Sequence, residues 1–168
     1  MAMGHTYFGR LDTDALHDTD VVWEGAVQLG DAQVEARLWA GPSAQPSAEV
    51  LDDLAARLTD LPTLDAAART ALRAYLHEDR SFIDFHLEEW EDSGTAARLV
   101  REAAGAEVGP DAFVAAMRLT GIGLWPTGPS EGRPPVVLDY TFEPDLGDQI
   151  LAVRATRAGA VASVDWES

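Results

Sequence analysis

The chain has 168 residues and a formal net charge of -17, from 29 Asp and Glu against 12 basic residues that are all Arg. That balance disfavours non-specific nucleic-acid binding and attachment to an anionic membrane, both of which need clustered cations. The absence of Cys, Lys and Asn removes disulfides, thiolate nucleophiles, Cys-based zinc sites, Schiff-base chemistry, a P-loop lysine and N-glycosylation.

With 46% hydrophobic and 24% charged residues, the composition is that of an ordinary globular protein, and a chain of this size buries about 70% of its unfolded surface without covalent staples. The segment Met1–His5 has neither a charged n-region nor an apolar h-region, and no run approaches the length of a membrane span. The expectation is one cytoplasmic domain over residues 1–168.

A short strand is expected around Thr6 to Leu11. From Val21 to Leu29 the residues alternate, with Val21, Trp23, Val27 and Leu29 on one side and Glu24, Ala26 and Gln28 on the other. Gly30-Asp31 then supplies a turn, and Val34, Ala36, Leu38 and Ala40 alternate with Gln33, Glu35, Arg37 and Trp39 to complete a hairpin. After the breaker cluster Gly41–Ser47, Ser47 caps a helix with Leu51, Leu54, Ala55 and Leu58 on its apolar stripe, which Pro62 ends or interrupts. A second helix is predicted from about Asp65 to Asp79, with Ala68, Leu72, Tyr75 and Leu76 on its stripe. A third, from Ser81 to Asp92, carries Phe82, Ile83, His86, Leu87 and Trp90. A weaker helix near Thr95–Ala104 follows, and Pro110-Asp111 opens a short one with Phe113, Val114 and Met117. Strand patterns return at Leu119–Trp125, Val136–Phe142, Ile150–Ala155 and Val161–Glu167. Strands, then helices, then a meander predict an α+β fold: one mostly antiparallel sheet, N-terminal hairpin plus C-terminal meander, with the central helices packed on one face.

Few motifs carry chemistry. Asp12 to Asp20 holds four Asp residues but fails as an EF-hand, because Leu16, His17 and Trp23 stand where a ligand, the turn glycine and the bidentate Glu belong. Gly121-Ile122-Gly123 leads into a strand rather than a helix N-terminus, so a strand kink explains it better than a phosphate loop. No serine sits in G-x-S-x-G. Asp139 and Glu143 read as ordinary outward-facing polar positions on a strand. No cofactor and no metal is expected.

The feature that stands out is the acidic stretch His77–Asp92, where Glu78, Asp79, Asp84, Glu88, Glu89, Glu91 and Asp92 face Arg80 alone. Asp84, Glu88, Glu89, Trp90, Glu91 and Asp92 form a candidate binding surface, with an exposed Trp as anchor and carboxylates aiding encounter. The plainer alternative is a solvated helix back with Trp90 in the core. His86, beside these carboxylates and near His77, is a candidate for acid/base or metal chemistry, although its place on the apolar stripe suits a hydrogen-bonded core histidine.

Phe8-Gly9, Trp23-Glu24-Gly25, the run from Phe82 to Glu89, Asp139-Tyr140-Thr141-Phe142 and Asp165-Trp166-Glu167-Ser168, in that order, resemble a bacterial family catalogued as the domain of unknown function numbered two thousand and four. The resemblance implies a stand-alone fold of mixed helix and strand with no assigned activity, and hence no functional residues to carry over. Two functional expectations follow from the residues. The first is a non-enzymatic interaction module, of inhibitor or immunity type, that recognises a basic protein partner through the acidic helix. The second is a small-ligand or metal-binding enzyme using His86 and neighbouring carboxylates. A homodimer through an edge strand is compatible with either.

Overall fold

The computed structural model describes residues 2–42, 46–90, 94, 98, 108–127, 132–142 and 148–167. The chain is an α+β protein. A two-stranded hairpin, β1 (Ala2–His5) and β2 (Gly9–Asp12), precedes a six-stranded sheet of β3 (Asp20–Leu29), β4 (Ala32–Ala40), β5 (Arg118–Leu124), β6 (Val136–Thr141), β7 (Ile150–Ala155) and β8 (Val161–Glu167). The sheet runs in chain order, and every pairing is antiparallel except β4 with β5. Between those two strands lie the helices α1 (Ala48–Thr59), α2 (Leu61–Glu78), α3 (Ser81–Glu89) and α4 (Pro110–Ala116). A strand that returns parallel to its neighbour needs such a crossover. The helical segment therefore joins the hairpin to the meander in one continuous sheet.

The N-terminal strand expected at Thr6–Leu11 is instead a hairpin, with Thr6, Tyr7 and Phe8 forming its turn. Phe8 is buried and meets the Trp23 indole edge-on at 4.9 Å, which docks the hairpin on β3. The alternation in β3 also departs from expectation. A bulge between Val21 and Trp23 inserts one extra residue, so Val22 and Trp23 both pack on the core while Val21 drops out of phase. Gly25 makes room for this arrangement, since a Cβ there would sit 2.5 Å from the Trp23 ring. At the tip of β3–β4, Gly30 takes φ +59 and Asp31 does not have a positive φ, which makes the two-residue loop a type II′ turn.

The helices follow their caps. Ser47 accepts from the Val50 N–H at 3.2 Å and starts α1. Pro62 does not delay α2 to Asp65 as expected, because proline is tolerated in a first helical turn, so α2 begins at Leu61. Its side chains Leu61, Leu64, Ala68, Leu72 and Leu76 are buried against Leu138, Tyr140, Leu151 and Val153 of the sheet's inner face in a single apolar cluster. A polar network crosses that contact. Arg69 Nε donates to both Asp65 oxygens at 3.1 Å, its Nη1 donates to the carbonyls of Val114 and Met117 at 2.7 and 3.1 Å, and the Tyr140 hydroxyl donates to Asp65 at 2.7 Å. The helix near Thr95–Ala104, and Glu143, lie outside the described residues apart from Arg98. No described helix is long and apolar enough to cross a membrane.

Candidate functional site

The helices cover one face of the sheet, so the chemistry of the chain divides between α3 and the opposite face. On α3, Asp84, Glu88 and Glu89 are exposed, and Arg80 approaches Asp84 at 4.0 Å. Trp90 is not the surface anchor that an exposed aromatic would provide. It is 6% exposed and packs on His86, Phe113 and Phe142, because the end of α3 turns its apolar stripe into the core. Glu91 and Asp92 lie outside the described residues. The acidic surface of α3 is thus a charged patch with no aromatic centre among those residues.

His86 is 2% exposed and its ring lies among Phe82, Trp90 and Phe142 at 4.3, 4.9 and 5.2 Å. The Phe82 carbonyl can only accept, so His86 Nδ1 carries a proton and donates to it at 2.7 Å. Burial holds the imidazole below its ordinary value, against smaller opposing effects of the Phe82 carbonyl and the Glu89 charge. His77 is exposed on α2 with Asp111 at 3.6 Å. Among the described residues no three His, Asp or Glu side chains converge so as to hold a metal ion.

The buried histidine has a measurable consequence. With a folded value below the unfolded 6.5, the unfolded chain binds a proton first as pH falls. The histidine's stability contribution is complete above pH ~6.5 and is lost as pH drops toward the folded value. Urea midpoints at pH 7.5 and 5.5 for the natural chain and His86→Gln isolate it from the other titrating groups. The natural chain should lose more stability between the two pH values than the variant, and equal losses would mean that His86 charges freely in the fold.

The outer face of the sheet carries a groove of about 580 Å³ lined by β4, β5, β6, β7 and β8 together with Trp125 and Arg133. Strand register explains its shape. Across the sheet, Glu35, Gly121, Asp139, Ala152 and Asp165 stand in one row, and Glu24, Arg37, Gly123, Val137, Arg154 and Ser163 in the next. The central strand β5 contributes glycine to both rows. A missing side chain at each leaves a trough with the β4 and β6 side chains as walls. A bulge between Leu119 and Gly121 sets this phase. At one end, Trp39 and Trp125 stack with centroids 5.0 Å apart and planes 6° from parallel, both half-buried. The Trp125 indole leans back over the second glycine, its Nε1 3.2 Å from where a Gly123 Cβ would be, and the Asp139 carboxylate lies 3.9 Å from the corresponding Gly121 position.

The charges in the groove are unevenly satisfied. Arg37 donates to Glu24 and Glu35 at 3.1 and 2.6 Å, and Arg154 to Asp165 and Glu167 at 3.1 and 3.2 Å. Each of these two guanidinium groups is thereby matched by two carboxylates, whereas Arg133 is exposed to solvent. The Asp139 carboxylate has no hydrogen bond or ion pair within 4 Å among the described residues. Burial raises its proton affinity above the ordinary carboxylate value, the Glu167 charge adds to the rise, and Arg154 opposes it. A group with a raised folded value stabilises the fold below its unfolded value, and that contribution disappears as pH rises through the folded one. At neutral pH the ionised Asp139 is therefore a cost to stability. Carboxylates whose proton affinity is raised by burial cluster at functional sites.

Comparison with protein-family models, with curated proteins and with solved structures returned no match. The groove was not legible as a site in the linear sequence. Its signals are an outward Trp39 beside two charged outward positions, and a Gly-x-Gly at strand spacing that period-two phasing places on that same face. Neither signal points to a site until β4 and β5 are known to be neighbours.

Proposed function

We propose that this chain is a non-catalytic binding module that takes a basic protein partner on the open face of its six-stranded sheet, in the manner of an inhibitor or immunity protein. The observation that carries the reading is the glycine-floored groove, with the stacked Trp39 and Trp125 at one end and the unpaired Asp139 carboxylate in its wall. Half-buried aromatic side chains are the usual anchors of an interface. The net charge of -17 draws a basic partner over long range, and the exposed Asp84, Glu88 and Glu89 of α3 add to that field rather than to the contact itself. The alternative enzyme reading centred on His86 gains little, because the ring is enclosed by aromatic side chains and its Nδ1 proton is already donated within α3.

Affinity capture from the source cell at low and at high salt, with the natural chain and with Trp39→Ala, tests the proposal. A basic protein should be retained at low salt and released at high salt. Trp39→Ala should reduce its retention by about tenfold or more, the effect of removing an aromatic anchor. Joint substitution of Asp84, Glu88 and Glu89 by their amides should slow association without abolishing the complex. Retention that depends on the α3 carboxylates and ignores Trp39 would move the interface to the helix.

A further inference from the structure

Resting on that reading of the groove, we propose that the group the partner inserts is an arginine side chain, its guanidinium paired with the Asp139 carboxylate and packed against the Trp125 indole. The placement comes from the two glycines. Residues two apart on one face of a strand lie about 6.7 Å apart. The Asp139 carboxylate borders the first of these positions and the Nε1 edge of Trp125 the second, so carboxylate and indole flank the two places where the strand carries no side chain.

Charge chooses the sign of the occupant. Of the groove's own guanidinium groups, Arg37 and Arg154 are each held by two carboxylates and Arg133 is solvent-exposed, which leaves Asp139 as the acid of the groove without a partner among the described residues. An anionic ligand would sit beside an unpaired carboxylate and could engage only the exposed Arg133 without breaking one of those pairs. A cation meets the free carboxylate without breaking any pair.

Chemistry chooses arginine over lysine. A carboxylate with both oxygens unengaged accepts two parallel N–H bonds from a guanidinium, whereas an ammonium offers a point charge. Guanidinium is also less strongly hydrated, so it enters a half-buried groove more readily, and it stacks on indole. The acid's destabilised ionised state is relieved by that pairing, which makes the arrangement costly when empty and favourable when filled.

The test uses the full chain and three capped tripeptides, Gly-Arg-Gly, Gly-Lys-Gly and Gly-citrulline-Gly, titrated while recording tryptophan fluorescence and the indole N–H resonances. The arginine peptide should perturb Trp125 and Trp39 saturably at millimolar concentration. Lysine should bind several-fold more weakly, and citrulline, which keeps the shape without the charge, at least about tenfold more weakly. Asp139→Asn should abolish the arginine response while raising the thermal midpoint at neutral pH, a pairing of effects that damage to the fold would not produce. Citrulline binding as tightly as arginine, or an Asp139→Asn variant that binds arginine unchanged, would overturn the assignment. If no peptide binds but Trp39→Ala still destroys retention of the partner, the groove remains the interface and the arginine proposal alone falls.

Discussion

Replacing Arg69 by Met is expected to destabilise the fold by about 2–4 kcal/mol, the cost of removing one partner from a largely buried, hydrogen-bonded ion pair. Arg69 is 24% exposed and Asp65 17%, so solvent relieves part of the penalty and the upper end of the buried-pair range does not apply. The loss has two parts. The carbonyls of Val114 and Met117, at the end of α4, lose the Arg69 donor, the first keeping the Met117 N–H, and the Asp65 carboxylate keeps the Tyr140 hydroxyl. Burial and the Asp65 carboxylate both push the Tyr140 hydroxyl well above its ordinary value, so it remains a donor across the pH range in which the protein folds. Urea unfolding checks the prediction. The triple variant Arg69→Met, Asp65→Leu, Tyr140→Phe should regain most of the loss, because no buried charge is then left alone. A single variant that costs less than about 0.5 kcal/mol would show the network to be solvated, like an ordinary surface pair.

That network also shows how sequence and structure divide the information. Leu64, Ala68, Leu72 and Leu76 recur at helical spacing, and their burial follows from that rhythm alone. Asp65 and Arg69 are four apart on the same helix and read as a routine surface pair. Only the packing of α2 on β6 and α4 brings Tyr140 and two backbone carbonyls to them. The strands β3, β4, β6 and β8 are legible from period two, β7 from a run that is apolar on both faces, and Ser47 and the Gly30-Asp31 turn from their local chemistry. The Val22 bulge is not, because one inserted residue leaves no compositional trace. Trp90 marks the same boundary in the candidate site. Helical periodicity placed it on the stripe with Phe82 and His86, while the surrounding acids suggested a surface anchor, and the apolar contacts with Phe113 and Phe142 decide the matter. The groove required knowledge of which strands adjoin, a non-local fact that no window of the sequence contains.

Gly121→Val separates a functional glycine from a structural one, and it is expected to leave the fold intact while weakening partner binding by more than an order of magnitude. Glycine within a strand costs roughly 0.5–1 kcal/mol relative to a residue with a side chain, and valine suits a pleated surface. Gly121 does not have the left-handed φ that would strain a side chain, and the nearest atom to an added Cβ is an Asp139 oxygen at 3.9 Å, an ordinary contact. Stability should therefore stay level or rise by up to about 1 kcal/mol. The two methyl groups would fill the trough between Glu35 and Asp139 and cover the carboxylate. Loss of a central contact of that kind is worth about 2 kcal/mol, close to thirtyfold in affinity. Gly123 does not offer the same test, because a Cβ there meets the Trp125 indole at 3.2 Å and would shift the stacked pair. A Gly121→Val protein that unfolds more readily would assign the glycine to packing. One that is as stable as the natural chain and still retains its partner would remove the groove from the interface, since the only change made to the surface is the space that valine takes up.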